Sequence, residues 1–311
     1  MARKKKRARS TGASLFLILP IALLAAVVWA ILPRHHGLQP THRRRIAAAQ
    51  PSPSPAPLAQ AATAAASPAA TTQASPQPSP SQSPSIAATE NPNGAQVAII
   101  IDDCGQWLDT ERGYLALPIP ITLSVLPHVH YTTEIAKEAS DAGKGVMLHL
   151  PMEPLSHVYP GPGEIKTAMT DDAIVKQTEE DVQQVPLARG VNNHEGSEAS
   201  ADERVMKDVI GIVKQHDLFF IDSRTNAKSV GAQDAAQAGV PTASRDVFLD
   251  NRPDVAYTES MLERTVAIAK RNGSAIAIGH PKPTTLEALR DMYPKMRSEG
   301  IRFVLASDLV H

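Results

Sequence analysis

From Val97 onward, short apolar runs alternate along the chain with longer stretches of helical period. The runs are Val97–Ile101, Ile121–Leu126, Val146–Leu150, Ala188–Val191, Leu218–Ile221, Val240–Ala243, Ala275–Ile278 and Phe303–Ala306. They are continuous rather than alternating and are bounded by Gly, Pro and Asp, which suits parallel strands buried on both faces. Between them the spacing predicts helices at 131–143, 170–185, 201–216, 229–238, 257–272 and 284–299, with start signals at Thr170-Asp171-Asp172 and Thr284-Thr285. Repeated strand-then-helix order means a parallel sheet, doubly wound or closed into a barrel. With seven or eight strands in the 217 residues from 95 to 311, a small barrel is favoured. The chain has no sequence repeat and no glycine-rich phosphate loop, which argues against a dinucleotide enzyme.

The first third has another pattern. Ala13–Leu32 is 20 residues without a charge, the length a helix needs to cross about 30 Å of hydrocarbon. It exceeds the apolar core of a cleavable signal, and Pro33-Arg34-His35-His36 behind it fits cleavage poorly. The reading is an uncleaved signal anchor, with residues 1–12 as a basic cytoplasmic tail. Residues 33–94 form an Ala/Pro/Ser-rich linker, and 95–311 the folded domain. Ten of the 26 prolines fall in residues 46–94, which carry too little bulky apolar surface to offset the entropy of ordering.

Charge sharpens this division. Residues 1–94 hold 10 Lys/Arg and one acid, a net of +9, whereas 95–311 hold 21 Lys/Arg and 31 Asp/Glu, a net of −10. Six cations precede the apolar span and four follow it, a positive-inside bias that predicts a single-pass protein of the cytoplasmic membrane. Its C-terminal domain would then lie in the periplasm or extracytoplasmic space. An acidic domain makes nucleic acid a poor partner. The lone Cys104 excludes a disulfide framework and a cysteine zinc site.

The candidate chemistry sits where strands end. The first run ends in Asp102-Asp103, the third holds His149, the fourth leads to His194, the fifth ends in Asp222-Ser223-Arg224 and a later one in Gly279-His280. In parallel α/β barrels the active site gathers at the C-terminal strand ends. Two imidazoles and a carboxylate with open positions suit Zn²⁺ or a similar divalent ion, which acidifies water and polarises a carbonyl. A second carboxylate then takes the water's proton, and a further histidine protonates the leaving group.

Six ordered motifs, IIIDDCG, MLHLPMEP, GVNNHEGS, FFIDSRT, RDVFLDN and AIAIGHP, resemble the divergent polysaccharide deacetylase family over nearly all of 95–311. The resemblance implies a distorted (β/α) barrel of about seven strands, a divalent metal with zinc first among the ions, and an N-acetylated glycan or peptidoglycan as substrate. Carried over, Asp103, His149 and His194 are the metal ligands, Asp102 the general base and His280 the general acid. Asp222 and Arg224 form a supporting shell that orients the base or holds substrate. Glu195 adds an acid beside the metal and is open between ligand and solvent-facing residue.

Other candidates carry plainer readings. His128 and His130 have the spacing of a metal pair, but Pro127 points to an ordinary loop. Cys104 reads as buried packing rather than a thiolate ligand. Trp107 and Tyr159 are candidates for stacking on a sugar, and Ser307-Asp308 for a structural turn. Two further functions compete with the deacetylase: a non-catalytic envelope scaffold with a protein partner in peptidoglycan remodelling, and a glycosidase using Asp102 and Asp222.

Overall fold

A computed structural model describes residues 94–311. The expected tail and anchor, and all but the last residue of the linker, lie outside the described residues. Among the described residues no helix is long and apolar enough to cross a membrane. The domain runs β1 (Gln96–Cys104), α1 (Leu108–Leu115), β2 (Thr122–Val125), α2 (Thr132–Asp141), β3 (Gly145–Met152), α3 (Asp171–Gln184), β4 (Gly190–Glu195), α4 (Glu203–Gln215), β5 (Phe219–Asp222), α5 (Gly231–Ala238), β6 (Thr242–Ser244), β7 (Val247–Phe248), α6 (Val255–Asn272), β8 (Ser274–Gly279), α7 (Pro283–Ser298) and β9 (Arg302–Val304).

Every strand pairing is parallel, in the order β6-β5-β4-β3-β2-β1-β8-β7, with β9 also on β1. The sheet's two edge strands, β6 and β7, are consecutive in sequence. Arg245 N donates to the carbonyl of Asp222 beyond β6, and Asp246 N to that of Ile276 on β8. The backbone thus bridges the open seam, and the fold is a distorted (β/α) barrel with one gap in its ladder. There are nine strands rather than about seven: β6 and β9, of three residues each, fall on the runs Val240–Ala243 and Phe303–Ala306, and the two-residue β7 is the one no run marked. Strands this short rest on few ladder bonds and leave little periodic signal.

The continuous apolar runs have the expected cause. Ala98, Ile100, Met147, Phe219, Ile221, Ile276 and Ile278 fill the barrel interior. Their neighbours Val97, Ile99, Ile101, Leu148 and Phe220 belong to the larger cluster that also takes in the helices. Both faces of each strand are therefore dry, and period two is masked. The C-terminal segment closes the lower end: Ala306 and Leu309 join the interior cluster, and His311 pairs with Thr242 in both directions.

Thr170 caps α3 as its sequence predicts, its hydroxyl accepting from Ala173 N. Thr285 does not cap α7, which starts at Pro283 with Lys282 in the cap position. Its hydroxyl instead donates to Asp250. Helix α1 escaped the pattern because its sequence, LDTERGYL, is mostly polar and Tyr114 is its one buried apolar residue. Glu111 Oε1 accepts from the backbone N–H groups of Gly105, Gln106 and Trp107, which fixes the turn after β1.

Candidate metal and acid–base site

Inward positions recur every second residue, so the interior columns that begin as Ala98-Ile100, Met147 and Ile276-Ile278 continue upward to Asp102, His149 and His280. Strand β4 supplies Asn192 and His194 in the same way, since His149 pairs with Asn192 and Pro151 with His194. Apolar layers give way to polar ones at the C-terminal mouth, where water can reach.

Asp102 and Asp103 share the mouth because β1 carries a bulge there. Ile101 pairs with Leu123 but Cys104 with Val125, so one extra residue is inserted, and Asp103 adopts φ 59°. Asp tolerates this left-handed conformation better than most residues. The bulge returns Cys104 to the outer face, where its thiol is buried, donates to the carbonyl of Ile101 and is pushed to a higher pKa by burial. Cys104 is packing.

Asp103 Oδ1 lies 3.2 Å from His149 Nε2 and 2.9 Å from His194 Nδ1, and the two nitrogens are 3.1 Å apart. Ligand atoms of these three residues all fall within 4.8 Å of one another. Asp103 Oδ1 is buried with no well-aligned hydrogen bond. Three lone-pair atoms crowded around one point, one of them an orphaned carboxylate oxygen, fit a divalent cation. The electrostatics agree: burial raises the Asp103 carboxyl, but His149 and His194 outweigh it and hold the group well below the usual range. For His149, burial pulls the imidazole down and the Asp102 and Asp103 carboxylates outweigh it, raising its pKa. The cluster demands positive charge, which a proton or a metal can supply.

Asp102 differs. It is 2% exposed, and burial raises its pKa despite His149, His280 and a hydrogen bond from Asn192 Nδ2 at 2.9 Å. Its Oδ2 is 3.6 Å from His149 Nε2. Two adjacent carboxylates are thus pushed apart, one towards a permanent anion and one towards a proton acceptor.

Across the mouth His280 Nε2 stands 4.0 Å from Asp103 Oδ2. Its Nδ1 meets Asp250 Oδ1 at 2.8 Å, and its backbone N–H donates to Asp250 Oδ2. Burial lowers the His280 pKa, but Asp250 reverses this and raises it. Asp250 belongs to the RDVFLDN motif, yet it follows a two-residue strand, so no strand-end signal marked it. Phe248, also missed, stacks on His280 with ring centroids 6.1 Å apart.

Asp222 and Arg224 are not brought to the base. Asp222 accepts from Arg224 N, Ser229 Oγ and Ala232 N, spending both oxygens on the loop that enters α5. Arg224 is exposed at φ 48°. Arg245 faces the interior instead, its guanidinium 3.7 Å over the Phe248 ring and its Nε donating to the Ser223 carbonyl. Glu195 sits at the rim, exposed, and its carbonyl accepts from Asn193 and Thr225. His128 pairs with Asp181, and His130 lies edge-on to Tyr131, both away from the cavity. Trp107 and Tyr159 are 50% and 65% exposed and do not line it. Asp308 accepts from Leu305 N in the final turn.

The sequence profile described as divergent polysaccharide deacetylase matches residues 99–310. The chain belongs to the divergent polysaccharide deacetylase family. Relatives include the uncharacterized protein YibQ of Escherichia coli K12, 35% identical over 216 residues, covering 70% of this chain and 67% of that one. An uncharacterized protein of Haemophilus influenzae is 34% identical over 196 residues, covering 63% and 70% of the two chains. A crystal structure of an uncharacterized protein from Agrobacterium tumefaciens C58 shares the fold with a TM-score of 0.68 at 23% identity, covering 71% of this chain and 91% of that one. Membership of the divergent polysaccharide deacetylase family agrees with the barrel and with the strand ends that carry the six motifs.

Proposed function

We propose that the protein is a membrane-anchored, extracytoplasmic, metal-dependent hydrolase that removes N-acetyl groups from a polysaccharide or peptidoglycan. The observation that carries this reading is the meeting of Asp103, His149 and His194 at one point, with Asp102 on one side and the Asp250–His280 pair on the other. Zinc held by those three residues would supply Lewis acidity to the amide carbonyl and to the attacking water.

The remaining chemistry belongs to the chain. Asp102 Oδ2, unoccupied by Asn192, receives the proton of the attacking water. His280, kept protonated by Asp250, delivers a proton from Nε2 to the amide nitrogen as the C–N bond breaks. The products are acetate and a free amine. The mouth cavity, about 280 Å³, takes an acetamido arm and its water, each water filling about 30 Å³. Anchoring rests on the Ala13–Leu32 span and its flanking cations, and export on their asymmetry.

The test is acetate release from chitooligosaccharides and peptidoglycan fragments by the zinc-loaded full chain. Release by the wild type and its loss in Asp102→Asn is expected. A zinc-binding protein that releases no acetate is instead a non-catalytic envelope module.

A further inference from the structure

We infer that Asn192 is a positioning residue that locks the metal ligand His149 and the base Asp102 into one unit, an inference that rests on the metal-site reading above. Asn192 is fully buried on β4, beside His149 in the β3–β4 register. Its Oδ1 lies 2.8 Å from His149 Nδ1 and also accepts from Ser124 Oγ. Its Nδ2 donates to Asp102 Oδ1 at 2.9 Å and to Ser223 Oγ at 3.1 Å. Both lone pairs and both protons of one amide are therefore used, on side chains from β1, β2, β3 and the end of β5.

The amide's orientation follows from its partners. Its Nδ2 faces Asp102 Oδ1 and its Oδ1 faces His149 Nδ1. An oxygen in that place makes Nδ1 the protonated nitrogen of a neutral His149. The lone pair is left on Nε2, the atom 3.2 Å from Asp103 Oδ1. That is the tautomer a ligand requires, and such outer partners set ring orientation and ligand strength. At its other end the same amide occupies one oxygen of Asp102 and leaves Oδ2 for the reaction. The orientation of the ligand and that of the base are thus not independent.

The experiment measures zinc affinity of the full chain by chelator competition for the wild type, Asn192→Leu, Asn192→Asp and His149→Ala, together with ¹⁵N NMR of the His149 ring in the zinc-loaded wild type. Asn192→Leu is expected to bind zinc 10- to 100-fold more weakly. Asn192→Asp still accepts from His149 Nδ1 but sets a second carboxyl against Asp102 Oδ1, where the two share one proton and Asp102 is no longer a free base. It is expected to hold zinc within about threefold of the wild type while its kcat for acetate release falls at least about tenfold. The NMR is expected to show a proton on His149 Nδ1 and none on Nε2. A folded Asn192→Leu protein with wild-type zinc affinity, or a wild-type His149 protonated at Nε2, overturns the inference. Should neither variant fold, the wild-type tautomer decides it. A wild type that binds no zinc overturns the metal reading itself and this inference with it. A wild type that binds zinc and releases no acetate removes only the deacetylase reading, and affinity and tautomer still judge Asn192.

Discussion

Asp250 holds His280 twice, through Nδ1 at 2.8 Å and through the backbone N–H at 2.8 Å, and is itself held by Thr285 Oγ1 and by Lys282 Nζ on its carbonyl. The ring is left one direction in which to present Nε2, towards Asp103. Tyr114 reinforces the arrangement by donating to the carbonyl of His280. Asp250→Asn removes the negative charge that keeps the imidazole protonated. Its kcat for acetate release is expected to fall about 10²-fold, with KM and zinc content unchanged. Steady-state kinetics with metal analysis checks this, and a fall in zinc content would mean that Asp250 supports the metal site instead.

Each metal-ligand candidate is tested singly. His149→Ala, His194→Ala and Asp103→Ala are expected to retain less than about a tenth of the zinc bound by the wild type after dialysis. Elemental analysis reads the ratio, and three variants with full zinc would place the metal elsewhere.

Cys104 gives the complementary control. Its thiol lies in the outer cluster, so Cys104→Ala is expected to lose about 1 kcal/mol of stability from the small cavity. Zinc content should not change. A loss of zinc in a folded Cys104→Ala protein would make the sulfur a ligand after all.

Asp181 on α3 predicts a pH effect remote from the mouth. Its side chain is buried, with Oδ1 accepting from Gln177 Nε2 and meeting His128 Nε2, and burial raises its pKa to about 8. An unfolded aspartate titrates near about 3.9, so between these values the folded chain holds a proton that the unfolded chain lacks. The stability this contributes is complete below the unfolded value and is lost as pH rises through about 8. The wild-type melting temperature is therefore expected to fall from pH 6 to 8.5, and Asp181→Asn to flatten that fall. Parallel melting curves across this range would refute the assignment.

Much of the barrel was legible because its signals are local. The run Val97–Ile101 is apolar at every position since one set of side chains fills the barrel and the other meets helices, and composition alone reports that. Asp102, Asp103, His149, His194 and His280 were visible as polar residues at the ends of such runs. Helix α1 and strand β7 were not, since LDTERGYL is polar with Tyr114 its one buried apolar residue, and two residues give β7 no readable period. Asp250 was hidden for the same reason: its strand is too short to announce an end.

The sequence by itself determined the alternation of elements, the dryness of both strand faces, the charge division of the chain and the residue types at the mouth. Only the tertiary structure decided how those residues are used. The bulge at Asp103 turned two neighbours into one cavity. The loop into α5 claimed Asp222, and Asn192 joined Asp102 to His149. These choices are pairings between residues far apart in the chain, 90 positions for Asn192 with Asp102 and 30 for His280 with Asp250. Periodicity records which way a residue faces along its own strand. It holds no record of the strand that will stand beside it, and hydrogen-bond partners are set by that neighbour.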